Sequence, residues 1–439
     1  MNIRLFHANI MSMKDDCSIV HNHEIWIREG KIVYMGKPES YQDMEEHMRS
    51  CRILPHGFDK SIDCEGDILM PGFKNAHAHS GMTLFRTSAE NLPLDRWLQE
   101  QIFPMEAKLF PEEIAVLSKL AIMEYVSGGI TAVFDMYLTP DSIAQAFTET
   151  GMRCVQCGSV NNFTHSAKEL EEFYVRLNHA DPLMGYRLGF HAEYTTDEKI
   201  LKEIAELAEK YQAPVYMHLA ETQKEVEDCR RRHGGMSPVE YLDSIGIFRY
   251  GGAGFHGVYL SEQDMELLKK DHVAIVTNPG SNVKLASGIA PVKSLLEQGI
   301  TVAIGTDGPA SNNALDMFRE MYLTAGLAKL REQDAGAVDA RTVLRMATVN
   351  GALVMGIPDC TTLEIGKNAD LIRIGLKTPD MHPMHDFARN LVYSGHACDV
   401  KMTMVAGKIL YENGNYHIGI KPAELYEQVG KIADRIIGK

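Results

Sequence analysis

Five polar residues stand where packing alone does not account for them. His77 and His79 close an apolar run as His-Ala-His, and His218 ends Val215-Tyr216-Met217-His218. His256 follows Phe255, and Asp307 lies in Gly305-Thr306-Asp307-Gly308. Alternate residues of a strand point the same way, so His77 and His79 can reach one point. Four imidazoles and a carboxylate delivered to one place suit Zn²⁺ with a position left open for water. Glu221, three residues beyond His218, has the spacing to handle protons beside such a centre. A lone histidine in an apolar strand is ordinarily a packed core residue, and a lone aspartate after a strand is ordinarily a turn or cap residue. Five such residues, all at strand ends, are better explained by metal binding. His191 ends a further strand. His165, His179, His233, His272, His382, His385 and His396 fall in loops, helices or turn-like segments and read as surface or packing residues.

The elements that must position these groups follow from the hydrophobic rhythm. Between about 70 and 358, apolar strand-like runs alternate with helical patterns. The runs are 68–77, 130–136, 153–160, 186–193, 214–220, 252–258, 273–277 and 301–306. Helices are expected over 111–127, 142–150, 168–178, 197–211, 261–270, 292–298 and 316–330. Eight strands, most followed by a helix, predict an α/β fold, a closed (β/α)₈ TIM-type barrel, whose chemistry gathers at the C-terminal strand ends. An open doubly wound sheet would want a Gly-rich phosphate loop, and neither G-x-G-x-x-G nor G-x-x-x-x-G-K-[ST] occurs. Both ends of the chain carry short alternating segments instead: 2–6, 24–27, 31–35 and 61–64, then 369–374, 399–405 and 408–411. The expected organisation is therefore one small β-sandwich domain from 1–69 and 359–420, a barrel over 70–358, and a C-terminal helix over 421–439.

Composition narrows the partners. The 439 residues carry 44 Lys+Arg against 59 Asp+Glu, a net charge of −15, which argues against a nucleic-acid backbone binder. No apolar run approaches the ~18 residues of a membrane span, and no secretory signal is visible at the start. The eight cysteines are scattered and read as reduced thiols of a cytoplasmic protein. A small-molecule substrate is expected; an acidic surface is compatible with a homo-oligomer but does not say where it would pair.

The segments PGFKNAHAHSGMTLFR, FPMEAKL, MHLAET, FHGVYL, NPGSNVKLASGIAPV and GTDGPASNNALDMFREM resemble the amidohydrolase superfamily, and within it the methylthioadenosine/S-adenosylhomocysteine deaminase-like group. EIWIREGKIVYMG, LEIGKNADLIRIG and MVAGKILYENG resemble that superfamily's two-part β-sandwich, so the likeness runs from about residue 2 to 415. It implies that His77, His79, His218 and Asp307 hold one divalent metal, usually zinc, with iron or manganese as substitutes. Glu221, His256 and Asp307 would then be catalytic, handling protons while a zinc-bound hydroxide displaces ammonia from an aminated N-heterocycle. Glu106, by itself readable as a solvated helix residue, would bind ribose hydroxyls, and His191 would hydrogen-bond the purine. Asn278 and Ser281 read as structural.

Departures from the family matter as much. A binuclear centre would need a bridging lysine or carboxylate after strand 4; this chain has His191 and Glu193 there and no lysine, so one metal is expected, with Glu193 leaving a second site open. Relatives acting on adenosylhomocysteine carry arginines after strand 3, whereas GSVNNFTHSAKEL has none. The implied substrates are adenosine-type nucleosides (5′-deoxyadenosine, methylthioadenosine or adenosine), with adenosylhomocysteine disfavoured. Guanine, 8-oxoguanine, a pterin or a triazine remain alternatives, because related hydrolases share most of these motifs. A cytidine-deaminase reading fails: His191-Ala192-Glu193 follows Cys154-Val155-Gln156-Cys157 instead of preceding it, and no proline precedes Cys154. A non-catalytic binding protein would have no need to keep both Glu221 and His256.

Overall fold

The computed structural model describes residues 1–37, 41–88 and 90–438. Residues 38–40, Ala89 and Lys439, which fall inside the expected β unit, barrel and C-terminal helix, lie outside the described residues. Strands β1 (Asn2–Met11), β2 (Ile19–Arg28), β3 (Lys31–Gly36), β4 (Lys60–Asp63) and β5 (Ile68–Pro71) open the chain. Eight strands follow: β6 (Phe73–Ala78), β7 (Ile130–Met136), β8 (Arg153–Cys157), β9 (Met184–Ala192), β10 (Val215–Leu219), β11 (Gly252–His256), β12 (Val273–Thr277) and β13 (Val302–Ile304). Strands β14 (Leu371–Ile374), β15 (Val400–Val405), β16 (Lys408–Glu412) and β17 (Asn415–Tyr416) complete the sheet work.

β6 to β13 pair in sequence order, every pair parallel, as the alternation of strands and helices predicts. Such strands are covered on both faces, which is why β7, ITAVFDM, is buried along its whole length. The covering helices present apolar stripes. In Glu198–Tyr211 the buried side chains are Leu201, Ile204, Leu207 and Ala208, and the N-cap Asp197 accepts from Ile200 N. The barrel is nearly closed. β13 and β6 make no ladder; Asn75 spans the seam, donating to Thr306 Oγ1 (2.7 Å) and accepting from Thr306 N (2.9 Å). Asp307 N donates to His77 O across the same seam at 3.0 Å. Gly305 is required there, because a Cβ would lie 2.7 Å from His77 N.

The two ends of the chain form one mixed sheet in the order β17-β16-β15-β14-β5-β1-β2-β3, with β4 beside β1. Two pairings in it, β1 with β4 and β1 with β5, are parallel, where small antiparallel β was expected. The run expected as one strand over 68–77 is two. β5 joins the mixed sheet, pairing with β1 and β14, and the chain turns at Gly72 into the barrel. A side chain at Gly72 would collide with Thr131, at 2.1 Å from its Cγ2. A buried ion pair ties the sheets together: Arg153, opening β8, donates through Nε (2.6 Å) and Nη2 (3.0 Å) to Asp370, just before β14. The helix Pro422–Ile437 lays Ile432 and Ile436 on Leu84, Phe85, Trp97 and Ile102, which bracket the mouth of the barrel.

Candidate active site

The C-terminal ends of the barrel strands bring the expected residues into one cluster. His77, near the end of β6, is buried with its ring stacked on Phe255 of β11 (centroids 3.9 Å apart). His79 follows just past the strand, and His218 lies on β10. Asp307 follows β13 at φ 60°, and His256 ends β11 at φ 75°. Left-handed backbone at two non-glycine strand ends is held against its local preference, a feature that concentrates at functional sites.

His77, His79, His218 and Asp307 each offer a donor atom, and these four atoms lie within 4.8 Å of one another. Asp307 Oδ1 is 3.1 Å from His79 Nε2 and 3.4 Å from His77 Nε2. The opposite nitrogens are already engaged: His79 Nδ1 with Met136 O (2.5 Å) and His218 Nδ1 with His191 O (2.7 Å). Carbonyl acceptors at Nδ1 fix the tautomer that leaves Nε2 as a lone-pair donor, the usual support for a metal-ligating imidazole. His77 is fully buried, and neither ring nitrogen has a hydrogen-bond partner among the described residues. A buried orphan nitrogen costs stability unless something outside the chain satisfies it, so the donor set fits a divalent cation.

The electrostatics agree. Burial pushes His77 down to about 3 and His218 well below its ordinary value, which keeps both as neutral ligands. At His79 burial also disfavours charge, but the Asp307 carboxylate overrides it and holds the imidazole up at about 9. A cation competes with the proton of that pair. Burial likewise opposes charge on Asp307, yet its contacts with His77 and His79 hold it well below the usual carboxylate range. Its other oxygen, Oδ2, accepts from Ser281 Oγ and Ser311 Oγ, each at 2.6 Å.

Glu221 is buried beside the cluster. Its Oε1 accepts from Ser287 Oγ at 3.3 Å and lies 3.8 Å from His256 Nδ1. Burial raises its pKa, with His256 opposing. Its position is set from behind: Glu225, in the first turn of the helix Gln223–Arg232, accepts from Ala220 N and Glu221 N, both at 2.8 Å. Asn282 Oδ1 accepts from His256 Nδ1 at 2.8 Å, which leaves Nε2 as the free ring nitrogen.

These groups open into a cavity lined on its apolar side by Leu94, Trp97, Leu98, Phe103 and Leu285. Glu106 and His191 both line it. Glu106 is buried, not solvated, and burial raises its carboxyl against the opposing effect of Tyr137. His191 Nδ1 meets Thr195 Oγ1 at 2.9 Å, and burial lowers the ring to about 4, so it is neutral. Among the described residues that line it there is no lysine or arginine. Lys168, in the stretch after β8, is exposed and points to Glu172 at 3.8 Å. Glu193 does not join the cluster: Arg232 and His233 hold its two oxygens.

Several supporting groups escaped sequence reasoning. Ser311, four residues after Asp307 in a turn, carries no pattern of its own in the sequence, and Ser281, read as structural, supports the ligand directly. Asp135, whose Oδ2 accepts from Ser80 N at 2.9 Å directly after His79, had no signal beyond ending a strand.

Fold and site together define a metal-dependent hydrolase built on a (β/α)₈ barrel. The chain belongs to the Amidohydrolase family, whose profile matches residues 68–410. It is 37% identical to a 5-methylthioadenosine/S-adenosylhomocysteine deaminase of Thermoanaerobacter pseudethanolicus, over 94% of each chain. It is 38% identical to a 5′-deoxyadenosine deaminase of Methanopyrus kandleri, over 85% of this chain and 88% of that one. Among solved structures, an adenosine deaminase from Xanthomonas campestris with bound zinc superposes with a TM-score of 0.90 at 31% identity, covering 100% of this chain and 99% of its own. Among the described residues no helix is long and apolar enough to cross a membrane.

Proposed function

We propose that this chain is a zinc-dependent hydrolytic deaminase of adenosine-type nucleosides, with 5′-deoxyadenosine, methylthioadenosine or adenosine as substrates and ammonia as a product. The observation that carries this reading is one cavity lined by His79, His218 and Asp307 of the His₃Asp donor set and by a buried carboxyl, Glu221, with a raised pKa. Similarity to relatives named for deamination of such nucleosides supports the ring, and the zinc in the similar adenosine deaminase supports the metal.

His77, His79, His218 and Asp307 would hold the ion, which when bound supplies a Lewis acid able to lower the pKa of water to about 7. The residues do the rest. Asp307, held as a carboxylate by its contacts with His77 and His79, accepts a proton from the attacking water. His256, engaged at Nδ1 by Asn282, has Nε2 left to hold the nucleophile by a hydrogen bond. Attack at the amine-bearing carbon builds charge on the neighbouring ring nitrogen, and Glu221, whose protonated form burial favours, delivers a proton there. The proton taken up by Asp307 then passes to the amine, and as the C–N bond breaks and ammonia departs the added hydroxyl becomes the carbonyl and returns its proton to Glu221. His191, neutral, hydrogen-bonds the ring, and Glu106 accepts from ribose hydroxyls.

The cavity also supports a choice of 5′-group. A carboxylate entering it would find no lysine or arginine among its lining residues, which favours small neutral substituents over that of adenosylhomocysteine. The test is ammonia release by the zinc-loaded protein across purine nucleosides, free bases, pterins and triazines. Turnover confined to adenosine-type nucleosides is expected. Turnover confined to a free base, a pterin or a triazine would replace this reading.

A further inference from the structure

A second cluster of metal-type donors lies outside the cavity. Glu193, Cys229 and His233 each offer one donor atom, all within 4.8 Å of one another. None of the three lines the substrate cavity. Cys229 lies on the helix Gln223–Arg232 and His233 caps it, so the two are four residues apart and share a face. Glu193 opens the turn after β9 and approaches them from the neighbouring barrel unit.

We propose that Glu193, Cys229 and His233 form a second, structural metal site for a zinc-class divalent cation, separate from the His₃Asp centre. Thiolate, imidazole and carboxylate are the donors such ions take, and three protein ligands leave a fourth position for water. Arg232 occupies Glu193 Oε2, which leaves Oε1, 2.8 Å from His233 Nε2, facing the cluster. Tetrahedral ligands at ~2.0–2.3 Å stand about 3.3–3.8 Å apart, so a slight opening of the cluster admits an ion. An independent observation points the same way. Tyr241 stacks its ring on His233 (centroids 3.5 Å apart, planes at 16°), yet its buried hydroxyl has no hydrogen-bond partner among the described residues. The water completing the ion's coordination would supply one. Burial and the nearby Glu193 carboxylate hold the Cys229 thiol up at about 12. Binding therefore forms a metal–sulfur bond and releases the thiol proton to solvent. An ion here would pin the turn after β9, which follows His191, to the helix that begins after Glu221.

The two sites are distinguishable because the His₃Asp set contains no sulfur. Metal-free protein titrated with Co²⁺ should take up two equivalents, one of them giving a near-ultraviolet thiolate-to-cobalt charge-transfer band. Cys229→Ser should abolish the band and leave one equivalent. His77→Ala should weaken the other equivalent and leave the band. Should Cys229→Ser fail to fold, His233→Ala serves instead, weakening the band-forming equivalent at least ~10-fold. A single equivalent without a band overturns the proposal. A band that survives Cys229→Ser also overturns it, since another thiol, such as the exposed Cys398, would then be the ligand.

Discussion

Replacing the two serines behind Asp307 should weaken the metal centre more than the sum of its parts. Ser281 and Ser311 both donate to Asp307 Oδ2 at 2.6 Å, and both are buried, with relative exposures of 0% and 3%. The hydroxyls keep Oδ2 occupied so that Oδ1 stays turned toward His77 and His79. A hydrogen bond to a charged group contributes about 1.5–3 kcal/mol, and disturbing the support of a metal ligand costs ~10–100-fold in affinity. Ser281→Ala or Ser311→Ala leaves one donor, so each should weaken zinc binding by about tenfold. The double variant leaves a buried carboxylate oxygen with no donor, and the loss should exceed the product of the two single effects, more than ~100-fold. Competition for zinc against a chromophoric chelator measures this, with thermal unfolding of the metal-free variants as the control for folding. Wild-type affinity in all three variants would refute the orientation argument. A single substitution as damaging as the pair would show that one hydroxyl alone does the work.

Glu221→Gln should keep its metal but lose ~10²–10⁴-fold in kcat; near-normal turnover in a steady-state assay would move the proton transfer to His256. Comparing kcat/KM for methylthioadenosine and adenosylhomocysteine should favour the former by about 10–150-fold, the worth of one missing charged hydrogen bond; equal values would mean that another residue supplies the cation. Burial holds Glu320 up at about 8 against an ordinary 4.5. Between those values the folded chain keeps a proton that the unfolded chain has released, so its contribution makes stability fall as pH rises through the window. Glu320→Gln should flatten that fall in Tm-against-pH curves, and an unchanged slope would place the titration elsewhere.

The barrel was legible because parallel strands buried on both faces read as near-continuous apolar runs, and the helices between them carry period-3.6 stripes. The helix expected over 111–127 is found as Pro111–Ser127, and the strand over 273–277 as Val273–Thr277. Other boundaries moved by a residue or a few: the last strand, expected over 301–306, is Val302–Ile304, because Thr306 turns out of register to bond Asn75. The break at Gly72 was hidden, since the close approach of Thr131 that excludes a side chain there is set only by the fold. Gln223–Arg232 was not foreseen as a helix. It reads QKEVEDCRRR, and only Glu225, Val226 and Cys229 are buried, too few apolar residues to draw a stripe. That omission carried a second with it: without the helix, His233 has no reason to face Glu193, and it was grouped with surface or packing residues. The chemistry of the mouth was visible as residue types at strand ends. The groups behind it were not, because Ser281, Ser311, Asn282 and Glu225 are ordinary residues whose partners are set only by the fold.

The seam of the barrel explains why the ligand set assembles where it does. His77 and Asp307 belong to the first and last strands' ends, the two elements most distant in sequence within the barrel. No ladder joins β13 to β6, so their approach rests on a few side-chain and backbone contacts. Asn75 fixes the register by bonding both the N–H and the hydroxyl of Thr306, and the next residue, Asp307, donates its own N–H to His77 O. Each of these bonds is buried, where leaving a partner unpaired costs about 1–3 kcal/mol. The register that satisfies them is the one that sets Asp307 Oδ1 against His77 and His79. Closing the barrel and building the metal centre are thus one event: a residue slip at the seam would orphan Thr306 and scatter the ligands together. The Gly305 approach, too close for any side chain, leaves the seam no room to relax into another register.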